Sequence, residues 1–328
     1  MKKNIALVLP LSLLALSFTA CSEDEMSKES VIVVESYEQN DFDKWLEANY
    51  VKPYNIDFKY RYEEIESDFD YYTVPADLAQ SIEMAHLVKH LCIDTYNEVA
   101  QDGIVFTRSY FPKMFFLIGE WEYRNNGTYL LGTAEAGKKI LLTGINYLDP
   151  VLNGESSWGS FGPFEFGSDV ASNLNYYFIK TIHHEFTHIL NQTKDYPADF
   201  KLVTGSGYVA DSWNEEPYSN AEVYLKRGFI SDYAQDKDAE DFAEMVSIYI
   251  THTKEWWEEQ LEKADGLYSA DPKQVKTGRQ LIEAKLDIVK TYMQELWGID
   301  MDKARDVIQR RQREIVEGKI DLTDLTVK

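Results

Sequence analysis

The segment His184-Glu185-Phe186-Thr187-His188 constrains this chain more than any other. Two imidazoles four residues apart meet on one side only if the backbone between them is helical, because a helix returns to the same face every 3.6 residues. Tyr176 to Gln192 contains no Pro or Gly, and Phe178, Ile182, Phe186 and Ile189 form an apolar stripe nearly opposite His184 and His188. The spacing therefore predicts a helix that buries one face in a core and turns the other toward a ligand. On this reading His183 points to neither face. A His-Glu-x-x-His helix can grip one cation between its imidazoles, with Glu185 in reach of a water at that cation. The bland alternative is a coincidental match, and the helical context counts against it.

An open cation site of this kind takes a third donor from elsewhere. In one large class a Gly and a further His follow shortly after the second imidazole, but here the chain runs Ile189-Leu190-Asn191-Gln192-Thr193, which excludes that class. The next imidazole is His252. Closer in sequence is an acidic pair, Glu240 and Glu244, in Ala239-Glu240-Asp241-Phe242-Ala243-Glu244-Met245-Val246. Phe242, Met245, Val246 and Tyr249 mark the apolar face of a second helix, so both carboxylates project from the other side, as a ligand and its supporter would. Taken by itself, such a pair more often describes a solvated face. Together with the two imidazoles it gives a site of two His and one Glu, suited to Zn2+, with the spacing leaving open which Glu is the ligand.

These residues, with Gly228-Phe229-Ile230-Ser231-Asp232-Tyr233-Ala234 between them, resemble the zinc-binding metallopeptidase lipoproteins of Bacteroidetes, a family often associated with TonB-dependent substrate import. The Tyr and Glu spacing also resembles the catalytic domain of anthrax lethal factor, a gluzincin. The first likeness covers most of the mature chain and the second only the site motifs. The resemblance implies an α+β, zincin-like metallopeptidase with a mixed sheet, an active-site helix and a helical C-terminal part. It further implies Glu240 as the third zinc ligand, Glu244 as the group that orients a ligand imidazole, and Tyr233 as donor to a developing oxyanion. Glu185 is the base by the motif itself.

The N-terminus reads as an export signal. Met1-Lys2-Lys3 precedes an apolar run from Ile5 to Ala20 that is too short and wrongly flanked for a permanent span. Thr19-Ala20-Cys21 resembles a lipobox, with Phe18 departing from the usual aliphatic residue, which makes Cys21 the expected lipid-bearing mature terminus. Ser22-Glu23-Asp24-Glu25 resembles the acidic surface-export signal of the same lipoproteins. An exported lipoprotein displayed on the outer membrane is the expectation. Loss of Lys2 and Lys3 moves the formal charge from -23 to -25, a balance that argues against nucleic-acid binding. Cys92, the only other cysteine, reads as core.

The expected organisation is a signal peptide at 1–20, an acidic tether at 21–30, an N-terminal subdomain with the motif helix at 31–193, and a mainly helical subdomain with the third ligand at 194–328. Strands are expected over 56–62, 110–120, 129–133 and 139–146, and helices over 42–50, 78–99, 256–263, 272–297 and 301–317. The segments 153–169 and 201–217 read as loops, packed connectors or caps over a cleft. His86 and His90 repeat the i,i+4 spacing without an intervening Glu or a placed acidic partner, which weakens them as a metal pair. A Gly-x-Ser-x-Gly nucleophile elbow is absent. The expected substrate is a peptide or glycopeptide; the rival reading is a surface lipoprotein that binds peptide or glycan for import without turning it over.

Overall fold

The computed structural model describes residues 38–67, 70–125, 127–135, 137–159 and 162–327. The expected signal peptide, Cys21 and the acidic tether lie outside the described residues. Four short strands make the principal sheet, β1 (Asp57–Lys59), β2 (Met114–Leu117), β5 (Gly132–Glu135) and β6 (Lys139–Leu142). Two small hairpins accompany it, β3 (Glu122–Tyr123) with β4 (Tyr129–Leu130) between β2 and β5 in sequence, and β7 (Ser156–Gly159) with β8 (Gly162–Glu165) after β6. The sheet order is β1-β2-β6-β5. β1, β2 and β6 run parallel, and β5 returns antiparallel at the edge with Gly132 opposite Leu142 and Glu135 opposite Lys139. The α+β architecture with a mixed sheet is thus the observed one.

Strand alternation divides the sheet's side chains cleanly. Phe115, Leu117, Ile140 and Leu142 enter the main core, while Phe116 and Leu141 face the other way and cluster with Ile118. The strands are shorter than their sequence runs suggest. Tyr110 closes a helix, Ile104–Tyr110, and does not open a strand, and the run 129–133 splits at Leu131 so that its halves pair with different partners. Apolar content alone cannot separate these cases, because both conformations bury the same residues.

The motif helix, Lys180–Thr193, continues from Val170–Leu174 through a π-helical turn at Asn175–Ile179. It lies under the edge strand. Gly132 permits that approach, since a Cβ there would stand 2.6 Å from the Leu141 carbonyl and 2.9 Å from Thr181 Cγ2. On its other side the motif helix packs against the acidic helix, Asp238–Thr251, which is buried without interruption from Glu240 to Thr251. The long helices Gly278–Trp297 and Met301–Val316 close the core around it. The first of these starts at Gly278 rather than Pro272, because Thr277 and Gln280 form a capping box there. The segment 153–169 holds the β7–β8 hairpin, and 201–217 is built of short helical turns, so neither is the irregular loop the composition suggests. Among the described residues no helix is long and apolar enough to cross a membrane.

Candidate metal centre

The motif helix and the acidic helix bring three donor atoms together. His184 Nε2 and His188 Nε2 are 3.1 Å apart, and Glu240 Oε2 lies 2.9 Å from the first and 3.1 Å from the second. Among the described residues, these are the one group of three or more side chains arranged to hold a metal ion. Both nitrogens can donate to Glu240, but they then oppose each other with like partial charge at contact distance. A shared cation removes that conflict. Ligands at about 2.05 Å from a tetrahedral zinc stand about 3.3 Å from one another, close to the observed spacing, so the donor set and its geometry fit that ion.

The electrostatics also suit a cation. Burial would lower the pKa of His184, but hydrogen bonds to Glu240 and Glu244 outweigh it and raise it to about 9. Burial works equally against ionising the two carboxylates. Even so, Glu240 is held well below the usual carboxylate range by its hydrogen bonds to His184 and His188, and Glu244 by Lys180 and His184. The acidic pair is thus no solvated face: Glu240 is 6% and Glu244 1% exposed. Buried anionic oxygens aimed at imidazoles make a pocket of negative potential that a divalent ion neutralises.

The remaining expected residues are placed as follows. Glu185 is partly exposed beside the donor set, and the Ala134 backbone N–H of β5 hydrogen-bonds to it. Burial lifts its carboxyl above the ordinary value, against the pull of His184 and His188. Tyr233 stands on a short turn, Tyr233–Gln235, with its ring 5.9 Å from the His184 ring and edge-on to Trp213 at 5.0 Å. Burial, followed by the charge of Glu240, raises its pKa, so its hydroxyl stays protonated and able to donate. Glu244 accepts from His184 Nδ1 at 2.8 Å.

Other histidines serve elsewhere. His183 corrects the sequence reading: it is fully buried, hydrogen-bonds through Nδ1 to the Tyr96 hydroxyl at 2.9 Å and lies 3.8 Å from Cys92, and burial lowers its pKa to about 3. His86 packs on Trp45 and donates to the Asp324 carbonyl, and His90 pairs with Glu314. His252 packs at a tilt against Trp256. Sequence reasoning missed Lys180, Ser231, Lys237 and Lys285. Lys180 was discoverable, since it precedes His184 by one turn on the same helix face; Lys237 reaches Glu240 Oε1 at 3.2 Å by the same kind of spacing. Lys285 gave no local signal, because its partner Asp241 is 44 residues away.

Residues 35–302 match the family described as "Putative zinc-binding metallo-peptidase". The chain belongs to this family. A solved structure described as a putative zinc-binding metallo-peptidase from Bacteroides caccae is 36% identical, with a TM-score of 0.68, over 90% of this chain and 100% of that one. No curated protein matches the chain.

Proposed function

We propose that this chain is a zinc-dependent peptidase of gluzincin type, with His184, His188 and Glu240 holding the ion. The convergence of those three donor atoms beside Glu185 is the observation that carries the reading. Zinc held there would supply Lewis acidity toward water and toward a scissile carbonyl. Glu185 takes a proton from the attacking water at its carboxylate and passes it to the departing amine, and its raised pKa suits a group that must first accept and then donate. Tyr233, protonated at its hydroxyl, donates to the oxyanion as the carbonyl becomes tetrahedral. Phe186 and Phe242, both fully buried against core aromatics, fix the two helices that carry the donor set.

The substrate is a peptide or glycopeptide, taken up at the surface of the outer membrane by an enzyme tethered through a lipid on Cys21, in the service of TonB-dependent import. Support for this part is the N-terminal sequence and the family resemblance. The reading is tested by incubating the soluble chain from residue 31 onward with diverse peptide and glycopeptide libraries. Cleavage that requires zinc and stops in Glu185→Gln, with about one zinc per chain retained, is the expected result; zinc binding with no cleavage of any library would favour the capture protein instead. His184→Ala should lose both zinc and cleavage.

A further inference from the structure

Glu244 is a buried carboxylate served by three donors, two from the motif helix and one from the segment before the Tyr233 turn. His184 Nδ1 lies 2.8 Å from Oε1, Lys180 Nζ reaches Oε1 at 3.0 Å and Oε2 at 3.2 Å, and the Ser231 hydroxyl donates to Oε2 at 2.7 Å. A buried carboxylate with this many donors has no freedom to rotate without leaving one of them unpaired, which the buried setting penalises. Its orientation is therefore fixed, and with it the ring of His184, whose Nδ1–H must point at Glu244. That leaves Nε2 to face Glu240 and His188.

Ser231 has a second bond. Its oxygen accepts the Ala234 N–H at 3.1 Å, and Ala234 follows Tyr233 directly in the turn that presents the phenol. The chain enters this turn through Gly228, at φ +87, where a Cβ would collide with Leu281, so the path into it has little slack. One carboxylate thus holds both an imidazole of the donor set and the segment bearing Tyr233.

We propose that Lys180 and Ser231 are positioning residues that act through Glu244. Lys180 clamps the carboxylate that orients His184. Ser231 makes that carboxylate the anchor of the Tyr233 turn, so that filling the metal site also orders the turn. This rests on the zinc reading above but concerns residues outside the donor set, and a plain stability role for the Lys180–Glu244 ion pair predicts something different: a lower melting temperature with unchanged zinc affinity.

The test measures zinc affinity by chelator competition in Lys180→Met, Lys180→Arg, Ser231→Ala and Ser231→Thr, together with amide hydrogen exchange across 229–236 with and without zinc. Lys180→Met should weaken zinc binding roughly 10- to 100-fold, the range seen when outer-shell partners of ligands are lost, with Lys180→Arg restoring most of it. Ser231→Ala should abolish the extra exchange protection that zinc gives 229–236 in the unaltered chain, while Ser231→Thr, which keeps the hydroxyl, retains it. Lys180 is partly exposed, which favours folding of the Met variant; Lys180→Gln replaces it should it fail to fold. Unchanged zinc affinity in Lys180→Met, or intact zinc-dependent protection in Ser231→Ala, overturns the proposal. His184→Ala separates the two levels: if it loses zinc while Lys180→Met binds normally, only this inference fails, and if it too binds normally, the zinc reading itself has failed.

Discussion

Lys285→Met should destabilise the fold by about 3–5 kcal/mol, the cost of stranding one member of a buried ion pair. Lys285 and Asp241 are both fully buried. The ammonium donates to Asp241 and, at 2.9 Å, to the Gly228 carbonyl, and it sits 3.9 Å from the centre of the Phe229 ring; the Tyr208 hydroxyl gives Asp241 its second donor at 2.9 Å. Met matches the stem in volume, so little of the loss comes from packing and most from the orphaned carboxylate and the unpaired Gly228 carbonyl. At about 2.1 cal/mol/K of unfolding entropy per residue over a folded part of roughly 290 residues, the melting temperature should fall by roughly 5–8 °C. The assay is thermal unfolding followed by circular dichroism with zinc chelated, since bound metal would add its own stabilisation. Asp241→Leu with Lys285→Met together should recover much of the loss, because an apolar pair replaces the ions. A single variant that loses less than about 1 kcal/mol, or a double variant no better than the single, would refute the reasoning.

Glu240→Gln should remove zinc almost completely, whereas Glu244→Gln should weaken it roughly 10- to 100-fold and keep measurable cleavage at saturating metal; zinc titration of both variants decides, and the reverse order would exchange their roles. Tyr233→Phe should retain zinc and fold while kcat falls by about two orders of magnitude, and a change confined to KM would make the phenol a substrate contact instead. Cys21→Ser should move the protein from the membrane fraction to the soluble fraction, with loss of lipid from the mature terminus by mass spectrometry; unchanged partitioning would refute lipidation at this position.

The motif helix was legible because its signals are local: i,i+4 imidazoles, an opposing apolar stripe and no helix breaker. The acidic pair was legible as a spacing but not as an environment. The residues that bury Glu240 and Glu244 come from elements scattered along the chain, and the same spacing on an exposed helix looks identical in sequence. The sheet was visible as apolar, β-branched runs, yet its short strands and the break at Leu131 depend on which partners are available, which is a tertiary matter. His183 shows the limit of helical-wheel reasoning. Its buried position depends on Tyr96, a residue 87 positions earlier that supplies the hydroxyl for its ring nitrogen.

The wide turn at Asn175–Ile179 gives this segment one residue of slack in its length. Each residue added to or taken from a helix rotates everything beyond it by about 100°, and a π-helical turn is how a helix absorbs one extra residue without breaking. Asn175 fixes the turn from outside through its bond to the Thr251 carbonyl, at the far end of the acidic helix, and through Gln312. Deleting one residue there would let the wide turn close to an ordinary α-helical one and keep His184 and His188 facing Glu240, while a second deletion, with no wide turn left to absorb it, would swing them about 100° away. Relatives that keep the site should therefore have either the same number of residues between Asp169 and His184 or one fewer, the shorter ones with an unbroken α-helix where this chain has the wide turn.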